Sequence, residues 1–212
     1  LFLSKKIWEV LGISDQVELE INSLGDHQTR SSYKEALTNY FKDYQKDLDK
    51  DSLRQLDENP LRILDSKNPE IRTLLDDAPK ITQFLDPESV DHHSILLELL
   101  NSNGLTYREN SQLVRGLDYY NKTVFEWKSS SLGAQDTICG GGRYDSLVEE
   151  LGGKPCPAIG FSIGLERLVL ISEKIDENIN SSKVISFIAL GEEAISKSVL
   201  IAEQLRNELV DV

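Results

Sequence analysis

Methionine is missing altogether from the 212 residues, and the chain opens on Leu1. Both features read as those of an internal piece of a longer protein. Cysteine is scarce: Cys139 and Cys156 have no second cysteine two or three residues away, and the only histidines are His27, His92 and His93. That pattern offers neither zinc spacing nor a disulfide framework, so no metal centre is expected. No apolar run reaches the roughly 18 residues of a membrane span, and no signal segment is recognisable. The expectation is a soluble protein of a reducing compartment, the cytoplasm by default. Positive charge is also short, with 23 Lys and Arg against 36 Asp and Glu and a net charge of -13. This argues against a uniformly basic nucleic-acid binder but leaves room for a local basic surface, because the field follows where the charges lie. The remainder is ordinary globular composition, 39% hydrophobic and 28% charged, enough for a core in one or two domains.

Residues 4–11 have the pattern of a short amphipathic helix ended by Gly12, and Val17, Leu19 and Ile21 then alternate with polar neighbours as in a half-buried strand. From Asp26 the period is helical: Tyr33, Leu37, Tyr40, Phe41, Tyr44 and Leu48 make one apolar stripe, read as helix core. Pro60, Pro69, Pro79 and Pro87 each stand where a first helical turn tolerates proline, which predicts a series of short helices. His92 and His93 fall on the last of these and are read as solvated or packed. After Gly104 the period returns to two. Thr123, Phe125 and Trp127 face one way and Val124 and Glu126 the other, with residues 105–108 expected as the antiparallel neighbour. A helix is expected over residues 143–151, a strand over 158–163 and a helix from about Leu165. Residues 178–183 read as a polar linker, 184–190 as an apolar strand, and Ile195, Val199, Ala202, Leu205 and Leu209 as one helix face. The fold class expected is α+β.

Chemistry concentrates in two stretches, RGLDYY at residues 115–120 and GGGRYD at 140–145. A planar cation, backbone free to approach a ligand and rigid phenols suit a phosphorylated substrate that bears a carboxylate. Arg115 has two readings, a substrate-binding guanidinium or a salt bridge to Asp118 or Glu126. Tyr119, Tyr120 and Tyr144 line a pocket or serve as core aromatics. Arg143 has Asp145 as an alternative to a ligand, and Gly140, Gly141 and Gly142 either admit a substrate or mark a bulge.

Three ordered words carry a family resemblance. LVRGLDYYNKTVFEW, residues 113–127, resembles the histidine-specific segment of histidyl-tRNA synthetases; PAIGFSIGLERLVL, residues 157–170, resembles motif 3 of class II aminoacyl-tRNA synthetases; NPLRILDSKNPE, residues 59–70, resembles the insertion that the family carries between motifs 2 and 3. The resemblance implies a class II antiparallel sheet with helices. It divides the chain into part of a catalytic domain at 1–25, a mainly helical insertion at 26–95 near the tRNA acceptor end, the catalytic domain with motif 3 at 96–177, and the start of an α/β anticodon-binding domain at 184–212. It implies Arg115 as catalytic and ATP-binding, Tyr119, Tyr120, Tyr144, Gly140 and Gly141 around histidine, Gly164 and Arg167 at ATP with Arg167 stacked on adenine, and Glu166 orienting Arg167. Histidine, ATP with Mg2+, histidine tRNA and a homodimer are the implied ligands and partners. Motifs 1 and 2 are not recognisable, so these residues alone are expected to be inactive. Lys67, Arg62 and Arg72 suit phosphates or a solvated mixed-charge face equally well. Two competing readings are a catalytically silent paralogue that regulates ATP phosphoribosyltransferase, and a sensor that binds uncharged tRNA.

Overall fold

The computed structural model describes residues 1–133, 135–172 and 188–207, and falls into two compact units, residues 1–172 and 173–212. In the first unit one five-stranded sheet organises everything. Its strands are β1 (Glu18–Ser23), β2 (Arg108–Glu109), β3 (Asn121–Lys128), β4 (Thr137–Arg143) and β5 (Ile159–Ile163), in the order β2-β1-β3-β4-β5. All neighbours are antiparallel except β1 and β2, which run parallel. The sequence pattern puts residues 105–108 beside β3; the two-residue β2 docks on β1 instead, where Arg108 reaches the Glu20 carboxylate.

Strand alternation sends apolar side chains to opposite faces, and each face meets a different core. Leu19, Ile21, Phe125 and Trp127 enter a core with Trp8 of helix α1 (Phe2–Val10), Leu100 of α5 (Pro87–Ser102) and Ile171 of α7 (Leu165–Ser172). Trp127 donates its indole N–H to Ser4 Oγ at 2.9 Å and meets Trp8 edge-on, so α1 is fixed to the sheet by both apolar and polar contact. Val124, facing the other way, joins a second core built from α2 (His27–Asp43), α3 (Lys50–Glu58), a 3-10 turn at Pro60–Asp65, and α4 (Pro69–Asp76). Tyr33, Leu37 and Phe41 of the expected stripe are buried there on α2, with Tyr40 half-buried; the helix ends at Asp43, so Tyr44 is its half-buried cap and Leu48 is buried beyond it. Asp26, Asp49 and Asp86 cap α2, α3 and α5 through carboxylates that accept from the N3 backbone N–H, each contributing about 1 kcal/mol. The Asn68 side chain and then the Ser52 backbone N–H hold the Asp49 carboxyl below its ordinary value, and the Ser89 side chain and then its backbone N–H do the same for Asp86.

Pro60, Pro69 and Pro87 open helical turns, whereas Pro79 precedes Lys80, the cap residue of the turn at Ile81–Gln83. The helix expected from Arg143 is shorter: Arg143 ends β4, and only Leu147–Glu150 (α6) is helical. Helix α5 runs unbroken through residues 95 and 96. In the second unit, α8 (Glu192–Asn207) contains Ile195, Val199, Ala202 and Leu205 of the expected helix face, with Ala202 buried; Leu209, the linker expected at 178–183 and most of the strand expected at 184–190 lie outside the described residues.

Candidate functional site

The site face of the sheet consists of two rows of aligned residues. One row reads Glu20, Glu126, Gly140, Ser162 across β1, β3, β4 and β5; the next reads Asn22, Val124, Gly142, Gly160. Glu20 and Glu126 stand directly opposite each other, an arrangement that repels unless cations intervene. Lys128 Nζ lies 3.1 Å from Glu20 and 3.7 Å from Glu126, and Arg108 and Asn110 complete the Glu20 shell. Burial pushes the Glu20 carboxyl up, but the bonds from Asn110 and Lys128 and the charges of Lys128 and Arg108 outweigh it and leave it below its ordinary value. Burial lowers Lys128, and its bond and charge pairing with Glu20 more than reverse that. Glu20 and Asn22 are 1% and 4% exposed, so β1 is buried on both faces and not half-buried as its alternation suggests. The polar face of β1 is covered by the chain leading to Arg115: Asn22 Nδ2 donates to the carbonyls of Leu113 at 3.0 Å and Ser111 at 3.4 Å.

Residues 115–120 form a loop tied down by the helical block. Arg30 and Arg62 donate to the carbonyls of Asp118 and Gly116, and Lys34 and Asn59 reach the Asp118 side chain at 3.5 and 3.3 Å. Within that frame Arg115 points back onto the sheet. Its Nη1 lies 2.6 Å from Glu126 Oε1, its guanidinium carbon 5.6 Å from the centroid of the Tyr120 ring, and a Cβ at Gly140 would stand 2.4 Å from Nη1. Of the two partners open to Arg115, the structure selects Glu126; Asp118 turns to Lys34 and Asn59. Glu126 Oε2 in turn accepts from Thr137 Oγ1 at 2.9 Å. The Arg115 Nε is buried with no hydrogen-bond partner among the described residues. A buried donor of this kind costs about 1–3 kcal/mol unless a ligand supplies the acceptor.

Tyr119, Tyr120 and Tyr144 converge beside Arg115, with ring centroids 4.6, 5.6 and 5.8 Å apart. Burial, and then the Tyr120 hydroxyl, push the Tyr119 phenol above its usual value, so it stays a neutral hydrogen-bonding group at physiological pH. Two glycines make room for side chains of this group: a Cβ at Gly140 meets Arg115, and one at Gly160 lies 2.2 Å from the Tyr144 hydroxyl. At Gly142 a Cβ would first strike the Thr123 carbonyl at 2.5 Å and then Tyr120 Cδ1 at 3.0 Å, so that glycine chiefly allows the strands to approach. Gly141 points away from this group, toward Phe161 and the Gly160 carbonyl.

A cavity of about 320 Å³ is lined by Arg115, Glu126, Thr137, Gly140, Ser162, Gly164 and Arg167. The Arg167 Nη1 donates to the Thr137 carbonyl at 2.5 Å and Nη2 to Gln135 at 3.4 Å; Glu166, expected to orient it, is exposed. Two further hollows, about 470 and 260 Å³, adjoin Val114; Arg115 lines the larger and Glu126 the smaller. Lys67 lines both, Arg62 the larger and Arg72 the smaller. Arg143 pairs with Asp145 at 2.6 Å and its Nη1 is 3.5 Å from His92, which it helps depress after burial; His93 meets Glu109 at 3.2 Å. Cys139 is buried in the core that holds Trp8 and Trp127, and burial pushes its thiol up to about 12. No group of three His, Cys, Asp or Glu side chains able to hold a metal converges among the described residues. Both oxygens of Glu126 are engaged, so these residues offer Mg2+ a poor ligand set of their own.

Sequence reasoning names Arg115, the tyrosines, Gly164 and Arg167, and the fold brings them to one wall. It misses Glu20, Asn22, Lys128 and Thr137 as parts of that wall. The available signal is positional: these polar residues lie in strands that also hold Val, Leu, Phe and Trp, and a polar side chain in such a strand is solvated only if its face is.

The family model described as Histidyl-tRNA synthetase matches residues 5–168. The chain belongs to the histidyl-tRNA synthetase family. It is similar to the apo histidyl-tRNA synthetase of S. aureus, with 33% identity and a TM-score of 0.63 over 99% of this chain and 52% of that one. The fold alone is shared with histidyl-tRNA synthetase from Nostoc sp. PCC 7120, at 19% identity and TM-score 0.51, covering 100% of this chain and 55% of that one. It is shared likewise with an "ATP phosphoribosyltransferase regulatory subunit/histidyl-tRNA synthetase" from Bacillus halodurans C, at 18% identity and TM-score 0.50, covering 100% and 57%. The chain thus spans about half the length of these relatives.

Proposed function

We propose that this chain supplies one wall of the active site of a histidine–tRNA ligase, which joins histidine to ATP as histidyl adenylate and then transfers it to the terminal ribose of its tRNA. The observation that carries the reading is Arg115: a guanidinium clamped by Glu126, backed by Tyr120 and Gly140, with a buried N–H left over for a ligand. Adenylation crowds negative charge around one phosphorus, and a preorganised fork can bond the attacking carboxylate and a phosphate oxygen together. Holding both reactants in line then converts a bimolecular step into an effectively unimolecular one.

Tyr119, Tyr120 and Tyr144 receive the imidazole, since buried phenols reward a substrate nitrogen that bonds them and penalise one that does not. Arg167, fastened by one edge to the Thr137 carbonyl, offers its plane to adenine. Mg2+, when bound with ATP, neutralises phosphate charge; the residues here bind, orient and hold that charge through Arg115. Lys67, Arg62 and Arg72 flank the hollows next to Arg115, where the tRNA end must arrive. The complete protein is proposed to act in the cytoplasm as a homodimer. The 212 residues alone are proposed not to form adenylate, because in-line attack needs groups on more than one side of the phosphorus. A silent regulator of ATP phosphoribosyltransferase, the alternative, has no use for the Arg115 clamp.

The test is histidine-dependent pyrophosphate exchange by the complete protein. Arg115→Ala should lose at least about a hundredfold in exchange rate, roughly 3 kcal/mol of transition-state stabilisation, with histidine binding altered less. Absence of exchange in the unaltered protein, or near-normal single-turnover adenylation by Arg115→Ala, sinks the proposal.

A further inference from the structure

Gly160 stands on β5 in the same row as Gly142, with Tyr144 beside it. Its backbone lies outside the left-handed region, so glycine is not required there for its dihedral angles. The three atoms nearest a Cβ built at this position all belong to one side chain: Tyr144 Oη at 2.2 Å, Cζ at 3.3 Å and Cε1 at 3.6 Å. The contact is therefore end-on, with the phenol tip directed at the one place on the strand where a side chain is lacking. Gly141 differs, because its Cβ would strike the Gly160 carbonyl and two atoms of Phe161, which makes it a site of strand approach.

Tyr144 has little freedom to retreat. Its backbone N–H donates to the Ala158 carbonyl at 2.8 Å, and its ring stands edge-on to Tyr119 and Tyr120 at 74° and 86°. A methyl group at 160 must then turn the phenol off its axis, and the hydroxyl, at the end of the lever, moves most. We propose that Gly160 is a specificity-determining residue: by leaving the space that the Tyr144 hydroxyl occupies, it sets how deep the amino-acid pocket is and where its hydrogen-bonding oxygen stands. This rests on the reading of the tyrosine cluster as the histidine pocket. Gly160 acts through Tyr144 and does not itself need to touch substrate.

The test is a double-mutant cycle between Gly160→Ala and Tyr144→Phe in the complete protein, reading the KM values for histidine and ATP, with thermal melting of each variant alongside. Gly160→Ala should raise the histidine KM about tenfold or more and the ATP KM less than about twofold. In the Tyr144→Phe background, where the clashing oxygen is gone, the same change should alter the histidine KM less than about twofold and recover most of any melting-temperature loss. If Gly160→Ala alone fails to fold, recovery of folding in the double variant, with a histidine KM equal to that of Tyr144→Phe, supports the same conclusion. Equal and additive effects in both backgrounds overturn the proposal, as does a parallel rise in both KM values. Coupled melting with an unchanged histidine KM overturns the specificity role while leaving the steric relation standing. A parent protein without any histidine dependence instead removes the reading of the pocket on which the proposal depends.

Discussion

The role proposed for Arg115 calls for a guanidinium that is held in place before any ligand arrives. A free arginine gives up about 2 kcal/mol of rotamer entropy when it is fixed; here Glu126 and the Tyr120 face have already confined it, in the space that Gly140 leaves open. Tyr120, 6% exposed and shared between the helical core and the pocket, is the phenol most firmly held. Tyr120→Phe should therefore weaken histidine by about tenfold or more in kcat/KM while leaving the ATP KM nearly unchanged, measured by pyrophosphate exchange with each substrate varied in turn. A structure with histidine bound and both Tyr120 and Tyr144 remote from the imidazole would retire the assignment. At this scale the sequence is informative where chemistry is contiguous: RGLDYY places a cation and two phenols in one loop, so Arg115 and Tyr120 can be paired without a fold. Glu126 can be named from sequence only as one of two partners, since choosing it over Asp118 depends on how four side chains of the helical block hold the loop and turn Asp118 outward.

β1 is the element whose character the sequence conceals. Its polar positions look solvated by alternation, yet Glu20 and Asn22 are the buttress of the Arg115 loop, one through Arg108 and Asn110 and the other through the Leu113 carbonyl. Whether a strand's polar face is covered depends on a segment about ninety residues away, which local periodicity does not encode. Glu20→Gln removes the carboxylate that Lys128 and Arg108 share, leaving Glu126 to the one and Glu18 to the other, and should destabilise the protein by about 1–3 kcal/mol at pH 7. The sign of the pH dependence follows from the depressed carboxyl: its contribution is complete above the unfolded value of 4.5 and is lost as pH falls through the lower folded value. Urea unfolding should accordingly show a gap between parent and variant at pH 7 that closes in strong acid. A gap independent of pH would mean that the Glu20 charge contributes nothing. The helices are easier to read, because proline and aspartate at Asp49, Pro69, Asp86 and Pro87 act locally on the backbone they start.

For the molecule as a whole, a net charge of -13 has to be reconciled with the polyanionic substrates proposed for it. Arg62, Lys67 and Arg72 stand at the hollows beside Arg115 among the carboxylates of Asp49, Asp51, Asp65 and Glu109, so the lining is mixed in charge and less acidic than the chain as a whole. Replacing Lys67 and Arg72 together with glutamate should weaken tRNA binding by the complete protein and flatten its logarithmic salt dependence by about 0.7–0.9 for each phosphate that is no longer neutralised. Filter binding across a salt series reads this, and an unchanged slope would assign these cations to ordinary surface. The five-stranded sheet also ends differently on its two sides. On one side β2 is two residues long and bears Arg108 and Glu109, both exposed; on the other, β5 presents Ile159, 78% exposed, beside Phe161. Charges and brevity discourage a foreign strand from pairing, whereas an apolar border invites it. Self-association of these 212 residues on heating, followed by light scattering, should therefore begin along β5, and the glycine that makes room for Tyr144 lies in that same apolar border.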